Sequence, residues 1–269
     1  MSHYGFGFGI GQVKKAGAVS YDTDAQAFFT ATGITDTTQK SAVNQLVLDL
    51  KSYNIWTKMK AVYPMVGGSS TTHKYNLVNS ADSDAAFRIS FSTGWTHSST
   101  GATPNGSAYA DTFLTPSTSL SLNSTHVSYY SRVNSNATEI EVGVASSSTA
   151  ATILEIRTTG VTYYRVNSAV AYVTYTDSNS LGFYVANRTA SNVINGWKNG
   201  TKVGTATTLS TSLPSVKLYL AALNNSGNAQ NYSTKQCAFA SIGDGLTDTE
   251  AANFNTAVQA FQTTLSRNV

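Results

Sequence analysis

The sequence predicts a mainly β protein in which two antiparallel sheets stack face to face, preceded by a helical segment and closed by a C-terminal helix. Three observations lead there. Between residues 57 and 242, short runs of β-branched and aromatic residues alternate with Gly, Asn, Ser and Thr, the signature of many short strands. So many strands exceed what one open sheet holds without curling or splitting, and two packed layers are the expected solution. On either side of that region the apolar spacing changes to that of a helix.

Residues 1–20 stand apart. In "HYGFGFGIG" the side chains of Tyr4, Phe6, Phe8 and Ile10 fall at every second position and share one face of an extended chain. The expected role is an anchoring segment laid into a groove or sheet edge of another subunit. Residues 21–57 read as a helical segment packed on the sandwich. It opens in "DTDAQAFFTATG" and continues, after a cap at Asp36 and Thr37, into "TQKSAVNQLVLDLKSY", where Val43, Leu46, Val47 and Leu50 form one apolar stripe.

Residues 58–269 are expected to form the sandwich and its final helix. Strands are read at "TKMKAVYPM", "HKYNLV", "FRISFS", "HVSYYSRV", "TEIEVGVA", "TILEIRT", "VTYYRV", "AVAYVTYT", "LGFYVAN", "VINGWK", "TKVGTA", "VKLYLAAL" and "KQCAFASI". In "WKNGTKV", Asn199-Gly200 supplies the two positive-φ positions of a type I′ hairpin. Thr247 and Glu250 make a capping box, and Phe254, Val258, Phe261 and Leu265 give the following helix its apolar face.

Composition narrows the function. Only 12% of residues are charged, so Ser, Thr, Asn and Gln must make the surface polar. The 17 basic and 14 acidic residues are scattered, with no Lys/Arg run to meet a row of phosphates, so no nucleic-acid partner is expected. The start of the sequence lacks the apolar region of a signal peptide, and no stretch of about 18 apolar residues is present to insert into a membrane. The single cysteine, Cys237, reads as a small buried strand residue.

The order of "VINGWKNGTKV" and "FASIGDGLTDTEAANF" resembles the concanavalin A-like lectin/glucanase (laminin-G-like) jelly rolls, over roughly residues 60–250. A second resemblance covers nearly the whole chain. The run from "AQAFFTATGITDTTQK" to "THKYNL", then "AAFRISFSTGWTHSSTGATPNGSAYADTFL" and the ending "NFNTAVQAFQTTLSRNV", looks like a group of tailed-bacteriophage virion proteins. It implies a fibre, appendage or decoration subunit assembled in the host cytoplasm and located on the virion. The implied partners are other virion proteins reached through the N-terminal segment, and further copies of the chain, since trimers are common among phage fibres. A host-surface glycan is the alternative partner.

The chemistry-bearing residues point to binding. Glu139 and Glu141 alternate as the carboxylates of a glucanase strand do, with Glu155 the nearest acidic candidate on another strand, but the further acidic position of that pattern is replaced by Val142-Gly143-Val144. An amphipathic strand with a charged face is the preferred reading, and no catalytic residue is expected. Asp82 and Asp84 form a close acidic pair, read as loop-capping residues and not as metal ligands. No metal or cofactor is expected. His73 and His126 read as strand-edge residues. The polar stretch "FSTGWTHSSTGATPNG" reads as a long loop carrying Trp95, His97 and Asn105, which with Tyr109 and Tyr130 are the candidate ligand-binding residues. Tyr130 enters because one of Tyr129-Tyr130, and likewise one of Tyr163-Tyr164, should face outward from its strand.

Overall fold

A computed structural model describes residues 1–2, 20–169 and 172–269. The anchoring residues Tyr4, Phe6, Phe8 and Ile10 lie outside these. The described chain is a β-sandwich with five helices: α1 (Thr23–Thr32), α2 (Thr37–Ser52), α3 (Ser70–His73), α4 (Pro116–Ser119) and α5 (Asp248–Thr264). Its strands in the first half are β1 (Met59–Tyr63), β2 (Ser90–Phe91), β3 (Trp95–Ser98), β4 (Gly101–Pro104), β5 (Ala110–Asp111), β6 (Thr125–Ser131), β7 (Val142–Ser147) and β8 (Ala150–Thr158). The second half supplies β9 (Val161–Ser168), β10 (Val173–Thr176), β11 (Gly182–Ala190), β12 (Val193–Lys198), β13 (Thr201–Ala206), β14 (Tyr219–Leu220), β15 (Leu223–Asn225), β16 (Asn228–Gln230) and β17 (Cys237–Gly243).

One sheet has eight strands in the order β13-β12-β11-β6-β17-β4-β3, with β1 also paired to β17. The other has nine, β10-β9-β8-β7-β14-β5-β2, extended by β15 and β16. All pairings are antiparallel except β15 on β7. The Asn199-Gly200 turn closes β12 onto β13 with φ of 48° and 76°, the left-handed pair that a type I′ turn demands.

Three layers result. Val127, Tyr129, Leu154, Ile156, Tyr164, Tyr184 and Ile242 fill the space between the sheets. On the far side of the eight-stranded sheet, Tyr130, Phe183 and Phe239 meet Val43, Leu46, Leu50, Phe254, Val258 and Phe261 from α2 and α5. The caps read from sequence set these helices in place. The Asp36 carboxylate accepts from the Gln39 N–H at 2.8 Å, and Thr247 and Glu250 exchange side-chain-to-backbone bonds at the start of α5. Among the described residues no helix is long and apolar enough to cross a membrane.

This third layer corrects several expectations. Every residue of β6 is buried, so Tyr129 points between the sheets while Tyr130 lies under α5, its hydroxyl donating to Gln259 Oε1. Tyr130 is therefore not an exposed aromatic open to a ligand. His126, read as a strand-edge residue, is wholly buried, bonded through Nδ1 to the Asp244 carbonyl and through Nε2 to the Ser241 hydroxyl. His73 is also buried, and "HKYNLV" is no strand: it starts on the last residue of the single-turn α3, whose Ser69 and Thr72 cap each other. Of "FRISFS" only Ser90–Phe91 pairs as a strand.

Two outcomes follow from the layers. Phe254 meets the rings of Phe183, Phe239 and His126 at 5.2–6.0 Å, so Phe254→Ala should lower the unfolding free energy by about 3–5 kcal/mol, read as a fall in urea midpoint at unchanged slope. Burial pushes His126 down to about 4 from an ordinary 6.5, against the opposing pull of the Asp244 carbonyl, and burial pushes His73 down to about 3. Because the folded values are depressed, the stability present above pH 6.5 is lost as pH falls towards those values. His126 alone should contribute on the order of 3 kcal/mol to that loss, seen by comparing urea midpoints at pH 7 and pH 4.

Candidate functional site

The stretch read as a loop is mostly sheet. After β2, at the rim of the nine-stranded sheet, residues 92–94 cross to the eight-stranded sheet, and β3 and β4 form a hairpin pairing Trp95 with Pro104 and His97 with Ala102. Ala102 in turn pairs with Cys237, which ties the hairpin to β17. This corner of the sandwich is stitched by aromatic side chains. Phe91 meets Trp95 edge-on at 5.2 Å and His97 at 4.7 Å, and the His97 ring lies 5.1 Å from that of His73. The Trp95 indole N–H donates to the Tyr109 carbonyl at 3.0 Å, and the Tyr109 ring stacks on Tyr219 at 4.5 Å.

Four of the five candidate binding residues therefore gather in one neighbourhood, in different roles. Trp95, His97 and Tyr109 are half-buried parts of the aromatic seam. Asn105 is exposed but turns inward on its own loop, where its Oδ1 accepts from the backbone N–H and hydroxyl of Ser107. A Cβ on Gly94 would sit 2.6 Å from that same oxygen, and φ of 100° at Gly94 also requires glycine. Tyr130 lies apart, beneath α5. Of the tyrosine pair on β9, Tyr164 is buried between the sheets while Tyr163 is half-exposed and edge-on to Tyr172.

Beside the seam lies a groove of about 240 Å³, lined by Ser70, Thr71, Lys74, Arg88, Ser90 and Phe91. It is open and smaller than the roughly 300–1,000 Å³ of enclosed small-molecule sites, which suits a short stretch of a longer ligand lying across it. Its charges cancel. Asp82 binds Lys74 at 2.6 Å and Arg88 at 3.1 Å, and Asp84 binds Arg88 at 2.9 Å. The acidic pair thus neutralises two cations, leaving hydroxyl and N–H groups around an aromatic edge. Sequence reading missed these groove residues because it placed Lys74 and Arg88 in the strands "HKYNLV" and "FRISFS" and gave Ser70 and Thr71 no element. The hydroxyl run "GGSSTTH", a helix-capping pattern, was the signal available.

The glucanase-like carboxylates sit elsewhere and are closed off. Glu141 is fully buried and Glu139 nearly so, and both bind the buried ammonium of Lys235, at 3.2 and 2.8 Å. The Ile156 N–H and the Ser233 hydroxyl donate to Glu141, and the Thr234 hydroxyl donates to Glu139. Glu155, half-exposed on β8, pairs in register with Tyr163. The Cys237 thiol, pushed up to about 12 by burial, is no nucleophile.

No family model matches the chain, and no curated protein matches it. Among solved structures, domain 4 of AbnA, a GH43 extracellular arabinanase from Geobacillus stearothermophilus solved with arabinotriose, aligns over 73% of this chain and 98% of that one, with a TM-score of 0.50 and 10% identity. The binding domain of Paraclostridial Mosquitocidal Protein 1 aligns over 73% of this chain and 51% of that one, at a TM-score of 0.48 and 10% identity. The CBM40 domain of Ruminococcus gnavus IT-sialidase, bound to α2,6 sialyllactose, covers 49% of this chain at a TM-score of 0.38 and 14% identity. The arabinanase domain establishes likeness of fold alone, that of a β-sandwich.

The neutral character of the groove has a direct check. Replacing Asp82 and Asp84 together by Asn frees Lys74 and Arg88, so the double variant should elute from a heparin column at higher salt than the wild type.

Proposed function

We propose that this chain is a non-catalytic glycan-binding module whose ligand is a neutral, hydroxyl-rich oligosaccharide. The observation that carries the reading is the groove at the sandwich corner. It places Ser70, Thr71, Ser90 and the charge-compensated Lys74 and Arg88 beside Phe91, whose ring is backed edge-on by Trp95. Sugar rings offer C–H faces to aromatic side chains and hydroxyls to short polar groups, and both partners are present here. The arabinanase domain, solved with arabinotriose, supports the reading as an analogy of fold alone. Burial of Glu139 and Glu141 against Lys235 supports binding without hydrolysis.

The setting proposed from the sequence resemblance is the particle of a tailed bacteriophage. There the chain would serve as a fibre, appendage or decoration subunit, joined to other virion proteins and to further copies of itself through Tyr4, Phe6, Phe8 and Ile10, with the groove turned to a host-surface glycan.

A neutral-oligosaccharide array followed by calorimetry on the best ligand tests the binding reading. Trp95→Ala should weaken binding about tenfold, the equivalent of roughly 1.4 kcal/mol, within the range of aromatic contacts. Its circular dichroism spectrum should match the wild type. Absence of any wild-type binding, or unchanged affinity in a folded Trp95→Ala variant, would reject the groove as a glycan site.

A further inference from the structure

The Lys235 cluster joins segments distant in sequence. Lys235 lies just before β17 of the eight-stranded sheet, while Glu139 and Glu141 lie just before β7 of the nine-stranded sheet. Lys235 and Glu141 are wholly buried, and Glu139 is 6% exposed. Lys235 Nζ lies 2.8 Å from Glu139 Oε2 and 3.2 Å from Glu141 Oε1. Neighbours fix the three residues further: the Tyr129 hydroxyl donates to the Lys235 carbonyl, Ser233 donates to Glu141 while accepting from the Lys235 N–H, and the Thr234 hydroxyl donates to Glu139. An ammonium hydrogen-bonded to a carboxylate in a buried site keeps nitrogen and carboxyl group together for the lifetime of the fold, the proximity that a condensation needs.

We propose that Lys235 and Glu139 condense into an intramolecular isopeptide bond, with Glu141 as the proton carrier. One ammonium facing two carboxyls leaves a proton to be shared among them. Burial pushes Glu141 up to about 7 against the opposing pull of Lys235, the Ile156 N–H and Ser233, while the bonds from Lys235 and Thr234 outweigh burial and hold Glu139 low. Lys235 is held charged by the two carboxyls against the effect of its own burial, so reaction begins with a proton moving from Nζ to Glu139. That transfer gives up the ion pair for a neutral amine and a neutral acid, an uphill step that burial, by disfavouring both charges, makes smaller than it would be in water.

The neutral Nζ then attacks Glu139 Cδ and the N–C bond forms. Glu141 donates its proton to one Glu139 oxygen and takes one from the nitrogen. The Cδ–O bond breaks and that oxygen leaves as water. The products are one amide, one water and a protonated Glu141, so atoms and charge balance with no oxidant or outside co-reactant. The bond would close a long loop, the partners being 96 positions apart, and would fasten one sheet to the other.

Mass spectrometry of the purified full-length chain under denaturing conditions tests this. The wild type should be one water lighter than its sequence requires, with Lys235→Arg, prepared identically, as the uncrosslinked reference. Peptide mapping should recover a branched peptide joining Glu139 to Lys235, with no tryptic cleavage after Lys235. Glu141→Gln, if its circular dichroism matches the wild type, should carry no bond. A wild-type mass equal to that of the sequence, or a branch at other residues, overturns the cross-link even if every variant misfolds. Full water loss in a folded Glu141→Gln overturns the part given to Glu141.

Discussion

The centre of the eight-stranded sheet is wet on neither face, and much else in the molecule follows from that. Its inner face meets the nine-stranded sheet through residues such as Val127, Tyr129 and Ile242, and its outer face meets α2 and α5 through Tyr130, Phe183 and Phe239. A sheet covered on both sides has no solvent face to receive polar side chains, so His126, Ser128 and Ser241 are buried and must bond to one another. The helices also cap the sandwich with aromatic weight. Phe183, Phe239, Phe254 and Phe261 meet in edge-on pairs that add to the area they bury.

Burying so much of a polar chain leaves cations inside, and backbone carbonyls hold them. Arg267 is 1% exposed and donates to the carbonyls of Met65, Pro64 and Ala238, tying the end of the chain to β1 and β17. Arg188 is fully buried and donates to Val166, Ala190, Ser191 and Thr208 carbonyls. Burial pushes Arg267 down to about 9 and Arg188 down to about 10. Asp177 has its own cation, Lys198 at 2.5 Å, and also accepts from Tyr184 and Thr162. These networks join elements remote in sequence, so they fix the packing arrangement as well as satisfying buried groups.

The corner where β2 hands over to β3 is different because its helical neighbour is the single turn of α3. There the sandwich is closed by rings, and hydroxyls and paired charges reach the surface. A chain that draws its surface polarity from Ser and Thr offers many neutral donors and acceptors, the chemistry a sugar meets best. The Glu139–Lys235–Glu141 cluster lies inside, bonded on every side and away from that surface. The proposed binding site and the proposed cross-link therefore lie in separate parts of the same sandwich.

Local sequence carried what local physics decides. The caps at Asp36 and Thr247, the stripe Val43, Leu46, Val47 and Leu50, and the Asn199-Gly200 turn stand in the structure where their patterns put them, because each rests on residues within a few positions. The two-sheet sandwich was legible from the number and rhythm of strands. Partners far along the chain decided the rest. Tyr130 read as outward because a strand alternates, and α5, more than a hundred residues later, covers that face. Residues 91–106 read as loop because Gly, Ser, Pro and Asn interrupt every run of strand formers, and pairing to β17 makes part of them a hairpin. Glu139 and Glu141 showed their spacing but not Lys235, and Lys74 and Arg88 did not show that Asp82 and Asp84 would neutralise them. Composition and periodicity specify which face of an element is apolar, whereas what covers that face is set by chain segments that only folding brings together.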